Sequence, residues 1–176
     1  GKKMRTGNAV AVWILAIAGC VVYGYRYAER KQASGRWEAL RMCYYSEDYA
    51  RTAEAYAPLY EELKWNPRYL FEYGHALHRL ARYEESSQVL EEALRHSSDP
   101  MVLNILGKNC QAQQRYKEAE EWFLRSTHRL PNRLYPYYLL AKLYAEPEFY
   151  RPDKCREMID MVLCWNPKVP SEAIEE

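Results

Sequence analysis

The sequence predicts an all-α protein, a right-handed solenoid of about four antiparallel helix pairs preceded by one apolar helix. Three observations predict it. Tyrosines recur at Tyr49, Tyr83, Tyr116 and Tyr150, spaced 34, 33 and 34 residues apart, a period that marks stacked supersecondary units. Residues Ala9 to Tyr25 contain no charged side chain. No stretch shows the apolar–polar alternation of a half-buried strand.

The apolar element comes first in the chain. Its 17 residues, at about 1.5 Å each, extend roughly 25 Å, close to the ~30 Å hydrocarbon core of a bilayer. Trp13 near one end and Tyr23, Tyr25 and Tyr27 at the other suit interfacial anchoring. Lys2, Lys3 and Arg5 precede it and Arg26, Arg30, Lys31 and Arg36 follow, so flanking charge leaves the orientation open. A buried helix of a soluble domain would keep a polar face, and this segment has none. Ile17-Ala18-Gly19-Cys20 resembles a lipoprotein cleavage site, but Val21, Val22 and Tyr23 continue the apolar run where a polar tether would follow the cysteine. A membrane span is therefore the favoured reading and a lipoprotein anchor the alternative. The chain starts at Gly1 rather than Met, as expected of a piece of something longer.

The repeats follow. Nine residues before each phased tyrosine stand Leu40, Gly74, Gly107 and Ala141. Three residues after Tyr83 and Tyr116 stand Ser86 and Ala119; seven after stand Leu90 and Phe123. Small residues where two helices cross, with large ones filling the space between, make the tetratricopeptide-repeat (TPR) pattern. Gly74 and Gly107 fall mid-helix, where glycine costs about 1 kcal/mol against alanine. Close approach of the paired helix at Ser86 and Ala119 is the expected reason for them. The outer repeats are looser. Trp37, Leu40, Tyr44, Thr52 and Tyr56 serve the first; Tyr137, Leu140, Tyr144, Cys155, Ile159 and Val162 serve the last, whose turn from Glu146 to Pro152 holds two prolines and an inserted residue. Helix starts are marked by Asn66-Pro67 and Asp99-Pro100, a capping side chain followed by proline at the first helical position. Glu84, Glu85 and Glu118 sit where negative charge suits the start of a second helix. The resulting division is an anchor over residues 1–28 and a TPR domain over 29–176, with repeats at 34–66, 67–99, 100–133 and 134–167.

The wording of the repeats goes further. Tyr73-Gly74, Tyr83-Glu84-Glu85-Ser86, Leu130-Pro131-Asn132-Arg133, Pro136-Tyr137-Tyr138-Leu139-Leu140-Ala141-Lys142-Leu143-Tyr144 and Lys168-Val169-Pro170-Ser171, behind an apolar helix, resemble the C-terminal region of bacterial O-antigen ligase/polymerase-like membrane proteins. In that family a multi-span glycan-transferring body precedes a TPR tail. The resemblance implies a bacterial inner-membrane location and a non-catalytic tail whose apolar helix is the last span. None of the family's functional residues falls on these positions.

Chemistry within the chain points the same way. Beyond Lys2, Lys3 and Arg5 the chain carries 22 basic against 24 acidic side chains, so the body lacks the concentrated basic face that nucleic acid requires. The five cysteines, Cys20, Cys43, Cys110, Cys155 and Cys164, form no CxxC pair or metal-ligand spacing. His75 and His78 share a helix face, but no third ligand accompanies them. Ser126-Thr127-His128 are consecutive on a helix, where neighbours point apart. Glu118-Ala119-Glu120-Glu121 is expected to be solvated. No nucleotide, hydrolase or metalloprotease motif occurs, so neither enzyme activity nor a cofactor is expected.

Binding is the remaining possibility. The first helix of each pair lines the concave side of such a solenoid. Counted from the glycines, that face carries Arg68, Phe71, His75, His78 and Arg79, then Asn104, Lys108 and Gln111, then Tyr135, Tyr138 and Lys142. Basic, amide-bearing and aromatic, with no carboxylate among them, these residues suit an acidic extended peptide, or a glycan or lipid-linked phosphate. The expected function is a non-catalytic protein-interaction module at a membrane, with a protein or peptide partner in the groove and the tail of a glycan transferase as its finer form. The alternative is a TPR lipoprotein or membrane adaptor unconnected with glycan assembly. The side of the membrane is left open, with the cytoplasm favoured.

Overall fold

A computed structural model describes residues 3–164, with side chains from residue 9 onward. The expected closing segment Trp165-Asn166-Pro167, and Lys168 to Ser171, lie outside the described residues. Nine α-helices and two 3-10 turns make up the described chain. Helix α1 runs from Lys3 to Tyr45. It is followed by α2 (Tyr49–Tyr56), a 3-10 turn, α3 (Tyr60–Leu63), α4 (Pro67–Arg79), α5 (Tyr83–Leu94), α6 (Pro100–Ala112), α7 (Tyr116–Arg129), α8 (Leu134–Tyr144), a second 3-10 turn (Pro147–Phe149) and α9 (Pro152–Leu163).

These pack as a right-handed solenoid. The second half of α1 pairs with α2 and α3, α4 with α5, α6 with α7 and α8 with α9. The first helices of successive pairs touch one another along one side. α1 is unbroken through residue 28, so the apolar segment and the first repeat helix are one rod. Ala33 and Trp37 are its first buried residues.

Local chemistry explains the helix ends. Asn66 accepts from the backbone N–H groups of Arg68 and Tyr69, and Asp99 from that of Met101, each followed by proline at the first helical position. At the C-termini the chain turns through a left-handed residue at Glu47 (φ 60°), Ala81 (φ 58°) and Gln114 (φ 60°). The next residue then donates back over the helix end: Asp48 to Cys43 O (3.0 Å), Arg82 to Leu77 O (3.0 Å) and Arg115 to Cys110 O (2.8 Å). That is the Schellman arrangement, normally closed by glycine. Here non-glycine residues adopt it three times, once in each of the first three helix pairs.

The core forms two clusters. One is centred on Trp37, Tyr56, Tyr69, Leu77, Leu90 and Leu106, the other on Cys110, Phe123, Leu140 and Tyr144; Trp122 packs against both. The glycines are required, but by different neighbours from those expected. A Cβ on Gly74 would lie 2.5 Å from Leu90, and one on Gly107 would run into the ring of Phe123. Ser86 meets Gly74 in another way, donating from Oγ to its carbonyl at 2.7 Å. The last pair also differs from expectation. α9 has no buried residue: Cys155 and Met158 pack on the second cluster, while Ile159 is exposed, because no further described helix covers the outer side of α9.

Candidate functional site

One side of α4, α6 and α8 carries the candidate residues, with α1 packed beside α4. A ring column runs along it. Phe71 stacks on His75 (centroids 6.0 Å) and His75 on His78 (6.5 Å). Tyr44 and Tyr49 meet His75 edge-on at 5.8 and 5.6 Å. His75 Nδ1 bonds the Tyr44 hydroxyl at 2.8 Å. His78 Nδ1 donates to Asn109 Oδ1 at 2.7 Å, because Asn109 directs its own N–H donors to Ser86 Oγ and Ser87 Oγ; this leaves His78 Nε2 as an acceptor.

Burial, then the neighbouring charges of His78, Arg79 and Lys108, push His75 down from 6.5 to about 4. Burial also lowers His78. Both rings are therefore neutral in the folded protein at neutral pH. The unfolded chain takes up protons below about 6.5 while folded His75 does not until about 4, so the stability due to His75 is complete above 6.5 and is lost as the pH falls between those values. Denaturant midpoints measured across that window should fall with pH, and His75→Gln should flatten the dependence.

Cations and rings alternate along the face. The Arg79 guanidinium lies over Tyr49 at 4.7 Å. Lys108 Nζ lies over Tyr135 at 5.2 Å, Tyr135 stacks on Tyr138 at 6.3 Å, and Lys142 Nζ lies over Tyr138 at 5.5 Å. Tyr135 and Tyr138 are 37% and 47% exposed. Arg79, Lys108 and Lys142 form no ion pair among the described residues. At the turns within the helix pairs and on the second helices, by contrast, Arg82 pairs with Glu85, Arg115 with Glu118, Arg95 with Glu92 and Lys154 with Glu120.

Other candidates are engaged differently. Arg68 bonds Glu72 at 3.3 Å. Gln111 donates to Glu146 at 2.7 Å. Asn104 is buried, and its Oδ1 has no hydrogen-bond partner among the described residues. Glu120, expected to be solvated, is partly buried and accepts from Tyr144 (2.6 Å) and Lys154 (2.9 Å).

Glu72 had no signal in the sequence. It is fully buried beneath the candidate face, between α1 and α4. Its Oε1 accepts from Arg41 Nη2 (2.8 Å) and Nε (3.2 Å), and its Oε2 from Tyr56 (2.9 Å) and Trp37 Nε1 (3.1 Å). Opposite charge and several donors, Arg68 among them, are what a carboxylate needs inside a protein. Through this carboxylate the long apolar rod is tied to the second repeat.

Helix pairing, repeat period and the contacts between successive first helices define a solenoid of the TPR type. Solved structures of that type are similar to it. Two crystal structures of MamA align at TM-scores of 0.66 and 0.64, with 14% and 16% identity, covering 75% and 72% of this chain and 72% and 73% of theirs. A structure from the functional characterization of Pseudomonas aeruginosa pilF aligns at 0.55 with 20% identity, covering 82% of this chain and 78% of that one. MamA and PilF are TPR-repeat proteins. No protein-family model matches the chain, and no curated protein matches it.

Proposed function

We propose that this chain is a TPR interaction module, non-catalytic in itself, held at a membrane by the N-terminal part of α1 and taking an acidic partner segment on its concave face. The observation that carries the partner reading is the set of cations Arg79, Lys108 and Lys142, laid over tyrosine rings rather than paired with carboxylates. Clustered charges of one sign raise the local potential toward an anionic ligand. The exposed rings offer it contact area at little cost in side-chain entropy.

The membrane reading is supported by α1. From Ala9 to Tyr25 every residue is exposed, and Val10, Val12, Trp13, Ile14, Leu15 and Ile17 are all at least 59% exposed. A helix apolar all round with no protein cover is what lipid accommodates. The finer reading is the tail of an O-antigen ligase-like glycan transferase, supported by the motif resemblance. Further apolar spans encoded directly upstream of this segment would bear it out, and their absence would leave a membrane adaptor.

The partner reading is tested by charge reversal. A desolvated charge-assisted contact contributes about 1.5–3 kcal/mol, so Arg79→Glu with Lys108→Glu should weaken capture of a native partner about a hundredfold or more while leaving the melting temperature unchanged. Glu91→Lys with Glu121→Lys, on exposed positions of the second helices, should leave capture intact. Loss of capture in the second variant alone would move the partner to the outer surface.

A further inference from the structure

α1 belongs to two things at once, and that fixes how the solenoid stands on the bilayer. Three contacts set its direction against the rest: Trp37 meets Tyr69, Arg41 meets Glu72 and Tyr44 meets His75. Rising numbers in α1 pair with rising numbers in α4, so α1 and α4 are parallel. Short loops make the pairs antiparallel, so α6 and α8 share that direction. The loops leading into α4 and α6 therefore lie on the edge toward the apolar segment. The turns through Glu47, Ala81 and Gln114 lie on the far edge.

The near edge is also close to the span. A span of about 20 residues that begins at Ala9 ends near Ala28, and Arg26 Nη1 reaches Glu62 Oε1 at 3.8 Å, directly before the loop that holds Lys64 and Trp65. Tyr45, at the far edge, is twenty residues beyond Tyr25, about 30 Å along the helix. Trp65 is 46% exposed at the near edge, where an interfacial tryptophan is favoured. The stalk between span and body carries Arg30, Lys31 and Arg36, all exposed and without an ion pair among the described residues.

We infer that the near edge of the solenoid at Trp65, beside Lys64 and Arg95 (paired with Glu61 and Glu92), rests with the unpaired stalk cations Arg30, Lys31 and Arg36 on an anionic lipid headgroup layer. Lysine and arginine close to such a surface are attracted to its negative potential, and the effect fades within a Debye length. The repeat helices then stand upright on the membrane and the concave face opens sideways, along its plane. A partner would approach that face parallel to the surface.

The inference rests on the membrane reading above, and two photoactivatable lipids separate the two. The full chain is reconstituted in phosphatidylcholine–phosphatidylglycerol vesicles with a probe borne either on the acyl chain or on the headgroup, and labelled peptides are mapped by mass spectrometry. The acyl probe should label the segment from Ala9 to Tyr25. The headgroup probe should label the peptides holding Lys64-Trp65 and Arg95, and not those holding Glu47 or Gln114. Omitting phosphatidylglycerol should reduce the labelling at Lys64-Trp65 and Arg95. Acyl labelling of the span with equal headgroup labelling of both edges, or with labelling of the far edge alone, would overturn the docked orientation while leaving the span intact. Near-edge labelling indifferent to phosphatidylglycerol would overturn the electrostatic attachment. Absence of acyl labelling would remove the membrane reading and this inference with it.

Discussion

Replacing Glu72 by alanine is expected to destabilise the protein by about 3–5 kcal/mol, the range for removing one partner of a buried ion pair. The carboxylate is fully buried. Its loss leaves Arg41 without its 2.8 Å partner and Tyr56 and Trp37 with unsatisfied donors in the core. Glu72→Gln keeps an acceptor for Tyr56 and Trp37 but loses the charge, so it should fall between the parent and alanine. Denaturant midpoints for the three proteins measure the ordering. A Glu72→Ala variant within about 1 kcal/mol of the parent would show that the carboxylate does not tie the rod to the repeats, since ordinary surface substitutions cost no more.

Gly107→Leu is expected to be comparably severe for a different reason. The space a Cβ would occupy is filled by Phe123, whose Cδ1 would be 2.5 Å away and whose Cε1 would be nearer still. Phe123 is itself fully buried and cannot swing into solvent without leaving a cavity. Overpacking of this kind costs about 1–3 kcal/mol and sometimes more, and a leucine adds three carbons beyond the Cβ. Gly107→Ala should already lower the melting temperature, and the double variant Gly107→Ala with Phe123→Leu should recover part of the loss. An unchanged melting temperature in Gly107→Leu would mean that α6 and α7 do not cross at this point.

Much of this was legible in the sequence because the repeat states itself several times. Four tyrosines in phase, two glycines in register and two capped prolines locate helices that the structure places within a residue or two. Tertiary relations were harder to read. Leu90 and Phe123, rather than Ser86 and Ala119, fill the space beside the glycines, since which side chain enters a crossing depends on the rotation of both helices. Glu72 sits among Phe71 and Tyr73 and reads as one more surface acid, and the docking of α1 and α2 buries it. The left-handed turns at Glu47, Ala81 and Gln114 had no glycine to announce them. On the candidate face, spacing is what singled out Lys108 and Lys142, which the structure sets over Tyr135 and Tyr138. The positions of Tyr44, Tyr49 and Asn109 around the histidines come from neighbouring elements and carry no local signal.

The concave face is the centre of the proposed function, and cross-linking in cells tests it most directly. A photoreactive benzoylphenylalanine in place of Tyr138, whose ring stacks on Tyr135 beneath Lys142, should trap a partner as a discrete higher-mass adduct. That adduct should disappear when Arg79 and Lys108 are both changed to glutamate. The same group in place of Glu91, exposed on α5, should trap nothing comparable. An adduct from position 91 that is insensitive to those charges, with none from position 138, would contradict a concave binding face.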